Sequence, residues 1–551
     1  MLRATLLLAL AAHLSAQTYD LLVYGATAGG VATAVAGARH GLKTALLEPG
    51  DHVGGMVSGG LSGTDVGKIE VIGGMALEFY WRAGRHYQLD RHLQQVAWMP
   101  EPGVAESVMR AMLADAKVTL LTRHRLREKT GVEKQGARVT AVTMENGARF
   151  TARVFADCTY EGDLMDQAKV RYTYGREGVK DYGESLAGVL AHTRNHNFPG
   201  NIPARDAQGR LLPEVSAEPR GEPGSGDKRI QAYNFRVIAT DVAANRVPWP
   251  KPKNYDPTRY ALLQKHLESL EQYLGRPLKF ADVALFRIIP HGKVDINNRG
   301  GFSSDYIGQN YAYPEGSYAT RAKIWQEHVD YQQGLYYYLA NDPHVPASMR
   351  EDTARWGLAK DEFTDTAHWP NQLYVREARR MVGPFVATQK DLQTARTKPD
   401  VIGMGSYNSD SHNVQRHISP EGWVLNEGNV EVPVEPYQIP YRVLLPAESE
   451  AENLLVPVCF SASHVAYSSL RMEPQYMILG HAAGVAASLA VQRNTNVQQI
   501  PVPDLQKILL SEGAVFERGF EVQRLALEKI RKLYAPPSAP VTKAPWARPE
   551  R

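Results

Sequence analysis

An α/β fold built on a parallel sheet is predicted for this 551-residue chain by three features near its start. They are a glycine-rich turn between a strand and a helix, a second buried strand soon after, and an acidic residue at that strand's end. Asp20 to Tyr24 is a short apolar run with β character, and Gly25-Ala26-Thr27-Ala28-Gly29-Gly30 follows it. Val31 to His40 is alanine-rich, interrupted only by Gly37, and Gly41 stops the helix. Lys43 to Glu48 then reads as a strand buried on both faces, as in parallel sheets.

A helical stretch, Val104 to Ala116, leads to an alternating segment, Val118 to Thr122. Arg138 to Met144 and Ala148 to Phe155 form a predicted hairpin joined by Glu145-Asn146-Gly147, because Asn-Gly favours such turns. From Arg171 to Trp369 the texture changes to Pro, Gly, Tyr, Asn and Arg, with one long helix over Tyr318 to Leu339. This stretch reads as an inserted, mixed α+β substrate domain. From Gln372 the α/β pattern returns, with a strand over Asn453 to Phe460, a polar linker over Ser461 to Glu473 and a helix over Pro474 to Gln492. A small helical cap includes Val502 to Ser511 and Glu521 to Leu533.

The implied domains are a signal peptide (1–16), a nucleotide-binding part (17–170), the inserted domain (171–370), a return to the first domain with part of the substrate site (371–500), the cap (501–534) and a proline-rich, disordered tail (535–551). The signal peptide is read from Arg3, the run Leu6 to Ala12 and the small residues up to Ser15-Ala16, with a cut near Gln17. It predicts a secreted or periplasmic protein. The run is well short of the ~20 residues that span a bilayer, and no later segment is predicted to cross one.

The composition, 43% hydrophobic and 22% charged, is that of a globular domain. Its 62 basic and 59 acidic residues are well mixed and leave a net charge of +3, so nucleic acid is not an expected partner. Two cysteines, Cys158 and Cys459, cannot build an iron–sulfur or Cys-rich zinc site, and no metal is expected. They read as inert core thiols, with pairing in an oxidising compartment the alternative.

A pyrophosphate needs backbone N–H groups at a helix start and a chain that permits close approach. Gly25, Thr27, Ala28, Gly29 and Gly30 supply that turn, with Thr27 replacing the middle glycine and its hydroxyl available to donate to phosphate. Glu48 is placed to accept from ribose hydroxyls. Pro49 and the glycine-dense loop that follows, with Gly54, Gly55 and Met56, suit a ribityl chain and a flavin edge. This loop favours FAD over a nicotinamide cofactor. Asp157, Gly162 and Asp163 end the next strand in an acidic turn that could close over the ribityl or pyrophosphate. Met472 and Glu473 precede the helix whose positive end could face the flavin pyrimidine.

These motifs resemble the FAD-dependent oxidoreductase family whose exported bacterial members are often labelled xanthan lyase, a branch of the glutathione-reductase-type flavoproteins. The resemblance covers roughly residues 19 to 530 and extends to Gly292-Lys293-Val294-Asp295-Ile296-Asn297-Asn298, Tyr374 to Arg380, Gly405 to His412, Tyr437 to Arg442 and Ser461 to Pro474. It implies the fold and FAD, not a substrate. Distant relatives carry iron–sulfur clusters, which this chain lacks the cysteines to hold.

Candidate catalytic residues are His412 and His464 as bases, and Arg376 and Arg471 as cations for substrate or reduced flavin. Arg379 and Arg380 beside Arg376 read mostly as ion-pair partners, for instance of Glu377. Lys293, Asp295, Asn297 and Asn298 could recognise sugar hydroxyls. The expected activity is oxidation of a sugar or similar polyol, with hydride passing to flavin N5 and an unidentified electron acceptor. Two alternatives stay open, a polysaccharide lyase and a flavin protein without small-molecule turnover. A covalent flavin bond at His52 is a further possibility.

Overall fold

The computed structural model describes residues 17–89 and 95–534. The leader and the tail lie outside the described residues. The central sheet begins with β1 (Gln17–Tyr24), which is followed by α1 (Ala28–Arg39) and β2 (Thr44–Leu47). After α2 (Gly74–His86) and α3 (Pro102–Asp115) come β3 (Thr119–Leu121), β4 (Val132–Gln135), β5 (Arg138–Thr143) and β6 (Arg149–Asp157). The strand order is β3-β2-β1-β6-β5-β4. Neighbours from β3 to β6 are parallel, with Leu21 facing Thr44 on one side and Val154 on the other. The β4–β5–β6 side is an antiparallel meander.

The unbroken apolar texture of β1 and β2 has a simple cause: each strand feeds two cores. Leu21, Val23 and Leu46 pack on one face, and Leu22, Tyr24, Ala45 and Leu47 on the other. A sheet covered on both faces has no polar side, so no alternation appears. The predicted hairpin is present, with Asn146 accepting from the Ala148 N–H at 3.0 Å and Gly147 at φ +86°.

The long C-terminal helix, Glu473–Arg493, lies against α1. Its stripe of small residues is what allows this. A Cβ on Gly480 would stand 2.2 Å from the Gly29 carbonyl oxygen, and one on Gly484 2.3 Å from that of Thr33. The stripe therefore packs helix on helix and brings the start of Glu473–Arg493 to the glycine turn.

Residues 237–359 form a second, antiparallel five-stranded sheet, ordered Ala284–Ile289, Lys293–Asn298, Val237–Thr240, Gly357–Ala359 and Arg246–Val247. The predicted long helix spans Tyr318–Asn341. A second helix in this region, Ala261–Leu274, buries Leu262, Leu263, His266 and Leu267, and its otherwise polar surface hid it in the sequence. Two further expectations change. The strand predicted over Asn453 to Phe460 is only Leu454–Leu455, since Pro457 has no ladder donor and the Asn453 amide bonds both the N–H and the carbonyl of Val139. The polar linker contains a helix, His464–Leu470, started by Ser463, whose hydroxyl accepts from the Ala466 N–H at 3.1 Å. Among the described residues no helix is long and apolar enough to cross a membrane.

Candidate cofactor cleft and active site

A cleft of about 590 Å³ opens at the carboxyl ends of β1, β2 and β6, where ligands bind in open parallel sheets. One wall carries Gly25, Thr27, Glu48, Pro49, Gly55 and Tyr160; the other carries Trp325, Trp369, Asn371 and Gln372. An adjoining cavity of about 210 Å³ shares Pro49, Thr159, Glu161 and Trp325 with it.

The glycines at the turn are sterically required. Gly25 has φ +95°, and a Cβ there would stand 2.8 Å from Thr159; a Cβ on Gly30 would stand 1.9 Å from the Gly25 carbonyl oxygen. The Thr27 hydroxyl caps α1 by accepting from the Gly30 N–H and donates its proton to the Cys158 carbonyl at 2.7 Å. That corrects the expectation of a phosphate-donating hydroxyl, because its proton is already used. The first-turn N–H groups of Ala28 and Gly29 have no acceptor inside the helix, and they remain the natural anion donors.

Glu48 holds the turn from below. Its two oxygens accept from the N–H groups of Ala26 and Gly50, each at 2.7 Å. Burial raises the carboxyl to about 7, against the lowering effect of those bonds. Each oxygen keeps a second lone pair for a ribose hydroxyl.

Gly54 and Gly55 lace the following loop onto the turn, with the Gly54 N–H bonding the Ala26 carbonyl at 2.7 Å. A relay follows: the Met56 N–H donates to the Tyr160 hydroxyl at 2.9 Å, which donates to Glu473 Oε1 at 2.8 Å. Glu473 Oε2 is buried without a partner at the start of the long helix, an orphan that suits a polar group of the cofactor. Met56 and Met472 themselves are core side chains. Burial raises Glu473 to about 8. The folded state therefore binds this proton more tightly than the unfolded chain, and the stabilisation is full below about pH 4.5 and lost as pH rises through about 8. Flavin-free protein should lose stability on the order of a few kcal/mol between about pH 5 and about pH 9, and Glu473→Gln should flatten that slope in denaturant titrations.

Asp157, Gly162 and Asp163 do not reach the cleft as expected. Asp157 spends Oδ1 on the Thr159 N–H and hydroxyl and Oδ2 on the Met165 N–H, fixing the turn after β6. Gly162, at φ +71°, starts the short helix Asp163–Gln167. Asp163 is bound by Arg321 at 2.7 Å and Arg379 at 2.8 Å, and lines only the smaller cavity. Short acidic turns look alike in sequence whether they bind a ligand or their own backbone.

His52 spans the cleft mouth. Nδ1 meets Glu106 at 3.1 Å, and Nε2 meets Asp365 on the opposite wall at 3.1 Å. The bond to Glu106, helped by Asp365, raises its pKa against burial. Two carboxylates on two ring nitrogens favour the imidazolium, which has no lone pair for a flavin bond. His52→Gln and Asp365→Asn should each accelerate FAD release a few-fold, read from the rise in flavin fluorescence after dilution.

A second cluster gathers Arg376, Arg471, Tyr374, Asp305 and His412, none of which lines the cleft itself. Arg471 donates to the Tyr374 hydroxyl at 3.2 Å and to the Asp410 carbonyl at 2.8 Å. It is fully buried and has no carboxylate partner among the described residues. Arg376 stacks over Tyr374 at 4.7 Å, donates to Asn234 Oδ1 at 3.0 Å and meets Asp305 Oδ1 at 3.0 Å. Asp305 Oδ2 holds His412 Nδ1 at 2.7 Å. Burial and Arg376 lower the His412 pKa, with Asp305 opposing, so the ring is neutral at pH 7. Asp305 was missed in the sequence because it stands 107 positions from His412 in an unremarkable Ser-Ser-Asp run.

His464 is elsewhere. Nδ1 meets Glu377 at 2.8 Å in a buried set with Arg380 and Glu177, apart from the Asp305–His412 pair. Burial and Arg380 push it down to about 3. Arg379 pairs with Asp163 and Glu315, Lys293 with Glu101 and Glu362, and Asp295 with Arg236. Cys158 and Cys459 are buried free thiols raised by burial, and neither should react with a thiol reagent until the protein unfolds.

Taken together, the parallel sheet, the glycine turn, the strand-end carboxylate of Glu48 and the cleft are those of a dinucleotide-binding fold. The chain belongs to the FAD dependent oxidoreductase family, whose profile matches residues 20–509. It is an oxidoreductase with FAD as cofactor. The orphaned Glu473 oxygen and the glycine cradle fit that cofactor. A search of curated proteins returned no match. Solved structures with local similarity include NikD, an unusual amino acid oxidase, at 15% identity over 29% of this chain and 56% of that one, with a TM-score of 0.22. A flavin-containing monooxygenase from Stenotrophomonas maltophilia gives 15% over 30% and 44%, TM-score 0.19. The anhydrotetracycline hydroxylase OxyS from Streptomyces rimosus gives 14% over 38% and 44%, TM-score 0.22. The matched part spans about half of these proteins' length or less.

Proposed function

We propose that this protein oxidises a CH–OH carbon of a sugar or other small polyol, outside the cytoplasm. The observation that carries the reading is the His412 ring, held at Nδ1 by Asp305 beside the Tyr374–Arg471 pair at the start of the long C-terminal helix. When bound, FAD supplies a two-electron acceptor for the hydride of a C–H bond. Gly25 to Gly30 would hold its pyrophosphate, Glu48 its ribose, and the Gly54–Met56 loop with Glu473 the flavin half.

His412 takes the hydroxyl proton at Nε2 as the C–H bond breaks, so the carbon becomes a carbonyl. Arg471, a buried cation with no carboxylate partner among the described residues, offsets negative charge that develops beside it. Trp325 and Trp369 add aromatic surface to the cleft wall facing the glycine turn. Localisation rests on the leader-like segment before Gln17, and N-terminal sequencing of the mature protein should begin near that residue.

The test is anaerobic mixing of the holoprotein with a panel of sugars and polyols. Bleaching of the visible flavin band by at least one of them supports the reading. Release of unsaturated sugar from a polysaccharide without flavin bleaching would instead favour a lyase, and bleaching by none would favour a redox partner protein.

A further inference from the structure

We propose that Asp305 is a positioning residue: it fixes the His412 ring in the Nδ1–H tautomer and so leaves Nε2 as the proton acceptor. This rests on the reading of His412 given above. The geometry is specific. Asp305 is buried, at 3% exposure, and divides its carboxylate between two partners: Oδ2 to His412 Nδ1 at 2.7 Å and Oδ1 to the Arg376 guanidinium at 3.0 Å. A carboxylate can only accept, so Nδ1 must carry the ring's proton when His412 is neutral. Nε2 then keeps its lone pair.

Arg376 has a distinct part. Against the upward push of burial, the Arg376 guanidinium and the bond from His412 Nδ1–H hold Asp305 low, so the carboxylate stays ionised at neutral pH. Arg376 is itself locked, by Asn234 Oδ1, the Ala232 carbonyl and the Tyr374 ring. The backbone holds the other side: the His412 N–H donates to Gln231 Oε1 at 3.2 Å. Aspartate and ring are thus fixed from independent elements, residues 231–234, 303–305, 374–376 and 410–412. Two further carboxylates act on the ring, Asp410 on its own segment and Glu431, which pairs with His196 at 3.3 Å. Those two carboxylates oppose Arg376, and burial with Arg376 outweighs them.

In the step this serves, the substrate O–H proton moves to Nε2 and the O–H electron pair becomes the second bond of the carbonyl. The C–H pair would leave as hydride, for which FAD, when bound, would supply the two-electron acceptor. A ring with the proton on Nε2 has no acceptor there and cannot begin the step. Asn at 305 can present its amide N–H to Nδ1 and so favours that wrong tautomer.

The test has two arms. In the first, holoprotein labelled with ¹⁵N-histidine is examined by long-range ¹H–¹⁵N correlation at neutral pH, with His412→Gln supplying the assignment. The expected result is a protonated Nδ1 and an unprotonated Nε2 in the wild type, reversed or mixed in Asp305→Asn. An Nε2–H tautomer in the wild type, or no change in Asp305→Asn, overturns the proposal. In the second arm, flavin reduction is followed anaerobically with the sugar of the panel that bleaches fastest. Asp305→Asn should slow it at least about 100-fold with flavin content unchanged, and Asp305→Glu should recover part of the loss. The double variant with His412→Gln should be no slower than His412→Gln alone, since the two act as one unit. Loss in His412→Gln but not in Asp305→Asn overturns the positioning role and leaves the proposed function standing. No loss in His412→Gln overturns both.

Discussion

Gly30→Val is expected to abolish FAD retention. The added Cβ would stand 1.9 Å from the Gly25 carbonyl oxygen and 3.1 Å from Cys158 Cβ, so the first atom of any side chain already collides with backbone. Neither side can retreat. The Gly25 N–H is bonded to the Leu47 carbonyl at 2.8 Å, and α1 is clamped from behind by Gly480 and Gly484. Overpacking a tight core costs about 1–3 kcal/mol where flexible side chains can yield, and here backbone must move. The displaced helix start would also carry the N–H groups of Ala28 and Gly29 out of line with a pyrophosphate. The check is the ratio of flavin to protein absorbance after purification, which should fall to background. Gly519→Ala is the control, since its Cβ meets nothing closer than 3.5 Å and its flavin content should stay normal.

The second large effect concerns stability. Glu377→Ala should destabilise the protein by about 3–5 kcal/mol, the usual consequence of removing one member of a buried charged set. Glu377 is fully buried; its carboxylate pairs with Arg380 and accepts from Gln231 at 2.9 Å, and it meets His464 at 2.8 Å. Its loss leaves Arg380 with Glu177 alone among carboxylates and strands the His464 ring. Thermal unfolding should shift down clearly, while the protein that remains folded keeps its flavin spectrum. An unshifted transition with a large loss of flavin reduction would instead return His464 to the chemistry.

The nucleotide half of the molecule was legible because it is local. A turn, a helix and a strand-end carboxylate within residues 20–48 carry their own pattern; Gly25, Gly29, Gly30 and Gly37 each have a close neighbour that a Cβ would meet, and Gly41 has a φ of +87°. The hairpin at Asn146-Gly147 was equally readable, since a two-residue signal decides it. What failed did so for identifiable causes. Asp157 and Asp163 satisfy the turn after β6 and the Arg321–Arg379 pair, and a sequence does not say whether an acidic turn binds inward or outward. His464 seemed close to the flavin because Ser461 to Glu473 read as a linker; as a capped helix, that segment turns the ring into the Glu377–Arg380 set. Asp305 left no local mark, for its meaning depends on a partner brought from a distant strand end. Long-range ionic clusters are properties of the tertiary fold, and periodicity does not encode them.

How the cofactor is held is open to direct measurement. The purified holoprotein should be precipitated with acid and the supernatant analysed by chromatography. All flavin should be released, it should be FAD, and flavin-free protein should rebind FAD but not FMN, with Glu48→Ala weakening FAD. Flavin retained in the pellet, or equal binding of FMN, would contradict a cleft that grips the dinucleotide by its pyrophosphate and ribose without a covalent bond.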